Sequence, residues 1–238
     1  MAAPVLIFGA TGGVGGALAR RLAADGRSLH LAGRDSEALA ALATEIGAAA
    51  TPFDALDEAS IAGAVRDAGG ELSGLAFCVG SILVKPLARS SAEEMLAAYR
   101  LNAIAPMIAL REAAPALAAG EGAAVLFSSV AAGTGFSGHA VIGSAKAAVE
   151  GLARSAAAEL APKIRVNCIA PSLMQTKMAA LMTGNEALAK GIAKLHPLKR
   201  LGEAEDAAAL AAFLLSPAAG WITGQVIGVD GGRSRLTC

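Results

Sequence analysis

The sequence predicts an α/β protein: residues 1–238 form a single domain built on a doubly wound parallel sheet of about seven strands with helices on both faces. Short apolar runs alternate with stretches of helical length, which is the pattern of repeated strand–helix–strand units. A cluster of glycines joins the first run to the first helical stretch. The length of 238 residues suits one domain, and 55% hydrophobic against 17% charged residues indicates an ordered chain with a large core.

Seven apolar runs are predicted as strands, and near-continuous hydrophobicity is expected where helices cover both faces of a parallel sheet. In chain order the runs are Val5–Phe8, Ser28–Ala32, Ala50–Phe53, Leu75–Val79, Ala123–Phe127, Ile164–Ile169 and Val226–Val229. The helical stretches are about Val14–Asp25, Ser36–Ile46, Glu58–Ala68, Ala92–Leu117, Ala140–Leu160 and Glu203–Leu215. Pro106 and Pro115 are expected to kink or end the long fourth helix, because proline lacks the N–H that a helix interior uses.

Charge and cysteine content exclude several classes of function. Lysine plus arginine and aspartate plus glutamate both number 20, so the balanced charge gives no electrostatic case for binding nucleic acid or an anionic membrane. The uncharged stretch Ala2–Ala19 lacks a basic start and contains five glycines, so we do not expect a signal peptide. Cys78, Cys168 and Cys238 show no CxxC spacing, which favours a reducing, cytoplasmic compartment over a disulfide framework or zinc site. The first two are expected to be buried.

The glycine cluster predicts a loop that binds the diphosphate of a dinucleotide. Glycine lets the backbone turn tightly and approach a phosphate without a Cβ in the way. The helix that follows offers free N–H groups and the positive end of its dipole to the anion. Gly9, Gly13 and Gly15 are assigned as the three key glycines of the loop. The expected cofactor contacts here are Gly9, Thr11, Gly12, Gly13, Val14 and Gly15.

The end of the second strand indicates which dinucleotide binds. An acidic side chain at this place holds the ribose 2′-hydroxyl of NAD, whereas a nearby basic residue accommodates the 2′-phosphate of NADP. Ala32 and Gly33 are not acidic and Arg34 follows them, so NADP(H) is favoured and NAD stays possible. Arg34 is otherwise a solvated residue at a helix start. Asp54 closes the third strand, where it meets the adenine amino group or else caps the next helix.

Residues 172–200 form the least regular part of the chain. The segment holds three of the six methionines, two glycines and Pro197. A loop after a late strand of an open α/β sheet lies near the ligand crevice, so this apolar segment is predicted to be a substrate lid within the single domain. The alternative is a pair of surface helices without a binding role.

Nearly the whole chain, from about Val5 to Gly232, resembles the short-chain dehydrogenase/reductase family in its compact single-domain form. The matching blocks, in family order, are the glycine loop, Asp54, Asn102, the Ser128-Ser129 pair, Lys146, the stretch Ile164–Pro171 and the tail Thr223–Gly232. The resemblance implies an NAD(P)-binding Rossmann fold, hydride transfer to or from the carbonyl of a small molecule, and a homotetramer or homodimer. It also implies five further cofactor contacts, which are Ala55, Gly80, Lys146, Pro171 and Thr176.

The family's catalytic set of Asn, Ser, Tyr and Lys is only partly matched. The resemblance implies that Asn102 holds a water linked to the lysine, that Ser129 hydrogen-bonds the carbonyl oxygen, and that Lys146 holds the nicotinamide ribose. The tyrosine expected four residues before the lysine is instead Ile142, which has no titratable group. General acid–base catalysis typically contributes ~10²–10⁴-fold to a rate. His139, or a water held by Ser129 and Lys146, is the hypothetical proton donor in its place.

Two functions therefore stay open. The first is an oxidoreductase that transfers a hydride between NADP(H) and a small, mostly apolar carbonyl or alcohol, with an atypical proton donor. The second is a nucleotide-binding sensor or partner subunit that has lost turnover through Ile142. The retained Asn102, Ser129 and Lys146 favour the enzyme, because a site without turnover has no chemical need for all three.

Overall fold

Seven parallel strands form one sheet in the computed structural model, which describes residues 2–236. The strands are β1 (Val5–Phe8), β2 (Leu29–Gly33), β3 (Ala49–Pro52), β4 (Gly74–Phe77), β5 (Ala123–Phe127), β6 (Arg165–Pro171) and β7 (Val226–Val229). Their spatial order is β3-β2-β1-β4-β5-β6-β7. The predicted doubly wound parallel sheet is confirmed, and each predicted run overlaps its strand. The ends of the range 1–238, and with them the prediction for Cys238, lie outside the described residues.

Helices cover both faces of the sheet. They are α1 (Gly13–Ala24), α2 (Ser36–Ile46), α3 (Glu58–Ala68), α4 (Ala92–Tyr99), α5 (Ala105–Ala119), α6 (Val130–Gly133), α7 (Ala140–Leu160), α8 (Ala180–Thr183), α9 (Glu186–Lys194) and α10 (Ala204–Leu214). One hydrophobic core joins the sheet to α1, α2 and α10, and a second joins its other face to α3, α5 and α7. Three layers result, with the sheet in the middle.

The two edge strands depart from the expected burial. Every residue of β1, β2 and β4 is buried, whereas β3 exposes three of its four residues and β7 has none that is fully buried. Each edge strand pairs with a neighbour on one side only, and its position leaves it less covered than the strands inside the sheet. An apolar run in the sequence predicts a strand, but it does not tell a central strand from an edge strand.

A π-helical turn interrupts the predicted helix over Ala92–Leu117. Helix α4 ends at Tyr99, the turn spans Arg100–Ile104, and α5 begins directly after it. Pro106 has no N–H to donate to the carbonyl of Asn102, four residues earlier, which accounts for irregular hydrogen bonding at this place. Pro115 lies inside α5, which continues beyond it, so neither proline ends the helix.

The carboxyl ends of all seven strands lie along one edge of the sheet, because the strands are parallel. β1 neighbours both β2 and β4, so the strand order reverses between β1 and β4. Ligands of open α/β sheets bind in the crevice at such a switch point. The loops that follow β1, β4, β5 and β6 therefore meet where a ligand is expected.

The two described cysteines differ in exposure. Cys168 is fully buried, as predicted, whereas Cys78 is only partly buried because β4 ends one residue before it. Burial raises the pKa of both thiols to about 12, so both stay protonated at neutral pH. Residues 2–236 hold no group of His, Cys, Asp and Glu side chains arranged to bind a metal ion. No helix in this range is long and apolar enough to cross a membrane.

Candidate functional site

The loop between β1 and α1 makes close approaches that a side chain would block. Gly9 has a φ of +79°, in the left-handed region that favours glycine. A Cβ on Gly15 would collide with the carbonyl oxygen of Gly9, and a Cβ on Gly13 would lie 2.6 Å from the Thr176 methyl group. Gly12 and Gly13 are exposed at the N-terminus of α1, where the first backbone amides of the helix have no partner within it. This end of α1 is shaped to receive an anion.

A cavity of about 530 Å³ opens at the carboxyl edge of the sheet, and we call it the central cavity. Its wall comes from the loops after β1, β4 and β5, from the start of α7, from the end of β6, from residues 172–192 and from Arg233. The predicted site residues in this wall are Thr11, Gly12, Gly13, Val14, Gly80, Ser129, Lys146, Pro171 and Thr176. Gly9 and Gly15 shape the glycine loop but do not line the cavity. Asn102 does not line it either, but forms hydrogen bonds with Ser81, which does.

Arg34, Asp54 and Ala55 lie outside this wall, beyond the ends of β2 and β3. The side chains of Arg34 and Asp54 are exposed. The glycine loop reaches toward this region, because the Gly9 amide donates a hydrogen bond of 2.8 Å to a carbonyl near the end of β2. Asp57, rather than Asp54, caps α3, so the alternative role of Asp54 as a helix cap is wrong.

Lys146 is buried in the wall of the central cavity, and its Nζ donates a hydrogen bond of 3.0 Å to the Phe127 carbonyl oxygen. Gly80 fits between this ammonium and the side chain of Asn102. A Cβ on Gly80 would lie 3.0 Å from Lys146 Nζ and 3.1 Å from Asn102 Oδ1. Asn102, in the π-helical turn, accepts a hydrogen bond of 3.1 Å from the Ser81 amide and donates one of 2.9 Å to Ser81 Oγ. Asn102 therefore holds the loop that separates it from Lys146.

Burial lowers the pKa of Lys146 to about 8. Within residues 2–236 no carboxylate forms an ion pair with its ammonium. The nearby Glu150 carboxylate instead accepts a hydrogen bond of 2.9 Å from Ser128 Oγ. Lys146 therefore exchanges its proton close to physiological pH, which suits a group that passes protons.

Ser129 follows β5 and faces the central cavity. Its Oγ accepts a hydrogen bond of 3.2 Å from the Ala131 amide, at the start of α6. The hydroxyl hydrogen has no protein acceptor among the described residues, so it is available to a ligand oxygen. Ile142 lies in the same wall, one turn before Lys146 on α7, and is 4% exposed. The wall of this one cavity thus presents a hydroxyl, an ammonium and an aliphatic side chain.

His139, at the start of α7, also lines the central cavity. Its Nδ1 lies 2.9 Å from the Ser137 carbonyl oxygen, which can only accept, so this nitrogen carries a proton. Nε2 is then the ring nitrogen left for proton exchange. Tyr99, the one tyrosine of the chain, packs against a small cluster of Ala98, Val141 and Ala145 and is not part of the cavity wall.

Residues 172–200 supply one wall of the central cavity through apolar side chains, including Met174, Met178, Met182 and Ile192. The segment consists of a 3₁₀ turn over Lys177–Ala179 and the helices α8 and α9. Helix α9 has no buried residue, so few apolar contacts hold it to the domain. The segment thus lies beside the cavity, where the sequence predicts it, and its closure over a substrate stays a prediction.

The wall residues that the reasoning from sequence missed include Ser81, Phe136 and Arg233. Phe136 and Arg233 lie far apart in the chain, yet the Arg233 guanidinium carbon lies 4.9 Å from the centre of the Phe136 ring. The only signal for Arg233 was its place directly after the tail glycines, which suggests a structural turn and not a ligand contact.

The arrangement at the switch point fits a nicotinamide dinucleotide. Glycines allow a close approach to the backbone, the N-terminus of α1 is open to a diphosphate, and Lys146 is buried in the cavity wall. The fold and this arrangement define a Rossmann-type protein of the dinucleotide-binding class.

Comparisons with known proteins identify the family. The family model described as "Enoyl-(Acyl carrier protein) reductase" matches residues 9–234. Human dehydrogenase/reductase SDR family member 2, mitochondrial, is 36% identical over 245 residues, covering 97% of this chain and 86% of that protein. A solved short-chain type dehydrogenase/reductase from Mycobacterium ulcerans is 34% identical with a TM-score of 0.92, covering 98% of this chain and 91% of that one. ElxO with NADP bound is 25% identical, with a TM-score of 0.89 over 99% of this chain and 100% of its own. The chain belongs to the short-chain dehydrogenase/reductase family, whose members are NAD(P)-binding oxidoreductases of small molecules.

Proposed function

We propose that this protein is an NADP(H)-dependent oxidoreductase that acts on a small, mostly apolar carbonyl or alcohol, with an atypical proton donor. The central cavity carries this proposal, because its wall joins the glycine loop, the buried Lys146 and the hydroxyl of Ser129 in one mostly apolar space. NADP(H), when bound, supplies or accepts the hydride. The apolar walls exclude water from the reacting carbon and favour a substrate with little polar surface.

The side chains of the cavity wall then take separate roles. Ser129 donates its free hydroxyl hydrogen to the substrate oxygen and stabilises the charge that develops there. Lys146 binds the ribose hydroxyls and holds a proton on Nζ, while Asn102 positions the loop beside it and holds a water. The glycine loop would hold the diphosphate of the cofactor, and Asp54, Ala55, Gly80, Pro171 and Thr176 would supply the remaining contacts to its two ends.

The proton for the substrate oxygen comes from a group other than residue 142, because isoleucine has none to give. We propose a water held between Ser129 Oγ and Lys146 Nζ as the carrier, with His139 Nε2 as the alternative. The variant His139→Ala distinguishes the two donors, because unchanged turnover in this variant would exclude His139 as the proton donor.

Ser129→Ala tests the enzymatic function. We expect NADPH affinity to stay unchanged in a fluorescence titration, because the serine does not hold the diphosphate. Turnover of a panel of small ketones and aldehydes, followed by loss of NADPH absorbance, should fall by roughly 10²-fold, the usual cost of one hydrogen-bond donor to a developing oxyanion. Ser137→Ala, which removes another hydroxyl from the same wall, is the matched control and should keep its activity. A wild type that binds neither NADPH nor NADH would refute the proposal.

Arg34 is proposed to select NADP(H) over NAD(H) through the 2′-phosphate. Arg34→Gln should weaken NADPH binding by about 10–100-fold, since a hydrogen bond to a charged group contributes about 1.5–3 kcal/mol, and should leave NADH binding unchanged. Arg66→Gln removes an exposed charge from the C-terminal turn of α3 and serves as the control. Equal affinities of the wild type for NADPH and NADH would show that Arg34 does not read the phosphate.

A second candidate function, a nucleotide-binding sensor or partner subunit without turnover, is favoured by Ile142. The pair Ile142→Tyr and Ile142→Phe separates it from the enzyme, because the two variants add a similar ring and differ by one hydroxyl. A wild type that binds NADPH without turnover, together with activity in Ile142→Tyr alone, would establish the sensor. Activity in the wild type would establish the enzyme.

We further propose that residues 172–200 close over the bound substrate, and that the chain works as a homotetramer or homodimer. The apolar cavity wall and weak attachment of α9 support the first proposal. A stretch of exposed large apolar side chains along α4, the π-helical turn and α5 supports the second. The scarcity of cysteine supports a cytoplasmic location.

A further inference from the structure

Arg233 enters the central cavity from the segment after β7. The turn that carries it is held by Asp230, whose carboxylate accepts hydrogen bonds of 2.9 Å from the amides of Gly232 and Ser234 and a further one from Ser234 Oγ. Gly231 and Gly232 both have positive φ, so the chain doubles back sharply at this point. The backbone of Arg233 is thereby fixed, and its side chain lies in the cavity wall.

Phe136, from the loop before α7, covers one face of the Arg233 guanidinium. The guanidinium carbon lies 4.9 Å from the ring centre, which is a cation–π contact. The same ring meets His139 edge-on, with 5.6 Å between ring centres. Because stacking uses only the face of the guanidinium, its planar fork of N–H donors is left for another partner.

No protein carboxylate pairs with that fork in the described part of the chain. The cavity wall contains no aspartate or glutamate, and no ion pair of Arg233 occurs among residues 2–236. Asp230, the nearest acidic residue in the sequence, is occupied by the turn. Burial lowers the pKa of Arg233, which reflects a charge partly removed from water without a compensating anion. A guanidinium in this state is poised to bind an anionic ligand.

The contacts of Arg233 differ from those of the groups assigned to the cofactor. Lys146 Nζ is already turned to the Phe127 carbonyl oxygen, and the diphosphate is assigned to the glycine loop. Arg233 instead contacts Phe136, which lies in the same part of the chain as Ser129 and Ile142, from the end of β5 to the first turn of α7. Its charge therefore belongs to the substrate part of the cavity.

We propose that Arg233 is a specificity-determining residue that binds a carboxylate on the substrate, with the carboxylate stacked beside Phe136 and the reacting oxygen at Ser129. The substrate class becomes an oxo or hydroxy acid whose hydrocarbon part lies against the apolar walls. This inference rests on the proposed oxidoreductase function and narrows its substrate.

The test compares benzoate with benzamide as probes in isothermal titration calorimetry. The proteins are the wild type, Arg233→Met and Arg235→Met, the last removing an exposed arginine two residues further along the same tail. Benzoate should bind the wild type and Arg235→Met equally, and Arg233→Met at least about tenfold more weakly, because a charge-assisted hydrogen bond is lost. Benzamide should bind all three proteins alike.

Several outcomes would overturn the proposal. They are an absence of benzoate binding to the wild type, equal benzoate affinities of all three proteins, and a joint fall of benzamide and benzoate affinity in Arg233→Met. A loss of NADPH affinity in Arg233→Met, with benzoate affinity kept, would assign the guanidinium to a cofactor phosphate instead. The titrations are run with and without NADPH. If NADPH does not bind, the cofactor proposal fails, and the comparison of benzoate affinities still decides the role of Arg233.

Discussion

Lys146 shows how one buried side chain sets the pH behaviour of the site. Its Nζ donates to a backbone carbonyl oxygen and not to a carboxylate, so nothing of opposite charge offsets the loss of hydration. Burial lowers its pKa from 10.5 to about 8. Between these values the unfolded chain binds more protons at this residue than the folded chain does. The contribution of Lys146 to the free energy of unfolding therefore rises with pH across this window.

Lys146→Met should remove that contribution. We expect the free energy of unfolding of the wild type, relative to that of the variant, to rise between pH 8 and 10.5. Urea unfolding at a series of pH values measures the difference. Lys163→Met, at an exposed lysine, should follow the wild type. If Lys146→Met and the wild type changed in parallel, the ammonium would have to be better hydrated than its burial indicates.

At the scale of elements, the same edge of the sheet carries both rigid and weakly attached parts. Helix α7, which positions Ile142 and Lys146, buries eight of its residues. Helix α9, which completes the opposite wall, buries none. Free energies of local opening follow such differences in buried contacts, so we expect α9 to open more readily than α7.

Amide hydrogen exchange tests this difference. In the free protein the amides of α9 should exchange much faster than those of α7, because fewer buried contacts oppose opening. Addition of NADPH together with a substrate should slow exchange in residues 177–194 and leave α10, on the far side of the sheet from α7, unchanged. Protection of α9 equal to that of α7 before any ligand is added would contradict a lid.

At the scale of the whole molecule, the surface along α4, the π-helical turn and α5 is unusually apolar. Met95, Leu96, Ile104 and Met107 are all exposed there, with Leu96 63% and Ile104 43% exposed. Several exposed large apolar side chains along one stretch of helix are typical of an interface between protein chains. Because the stretch runs over several helical turns, it can pack against the same surface of a second copy.

Light scattering at micromolar concentration should therefore give a multiple of the 23.4 kDa chain mass. Ile104→Glu should shift the mass toward the monomer, because a charge in the middle of the apolar surface would have to be desolvated on association. Leu56→Glu changes an exposed leucine elsewhere and should leave the mass unchanged. A monomeric wild type would refute the proposal that the chain works as a homotetramer or homodimer.

The local signals of the sequence were sufficient for the class of fold and for much of the cavity wall. Apolar periodicity predicts strands and helices because it follows from which faces are buried. The glycine loop can be recognised from the sequence because a close approach to the backbone permits few residues other than glycine. The family resemblance that picked out Ser129 and Lys146 also located Ile142, since all three belong to one continuous stretch from β5 to α7.

Tertiary structure alone decided which distant residues meet. The contact between Phe136 and Arg233 depends on how the segment after β7 folds back over the sheet, and no local pattern encodes that approach. The partial burial of Cys78, the exposure of β3 and the pKa of Lys146 likewise depend on neighbours from other parts of the chain. Periodicity and spacing report a residue's immediate chain neighbours, whereas burial, charge pairing and cavity shape are set by segments that come together only when the whole chain folds.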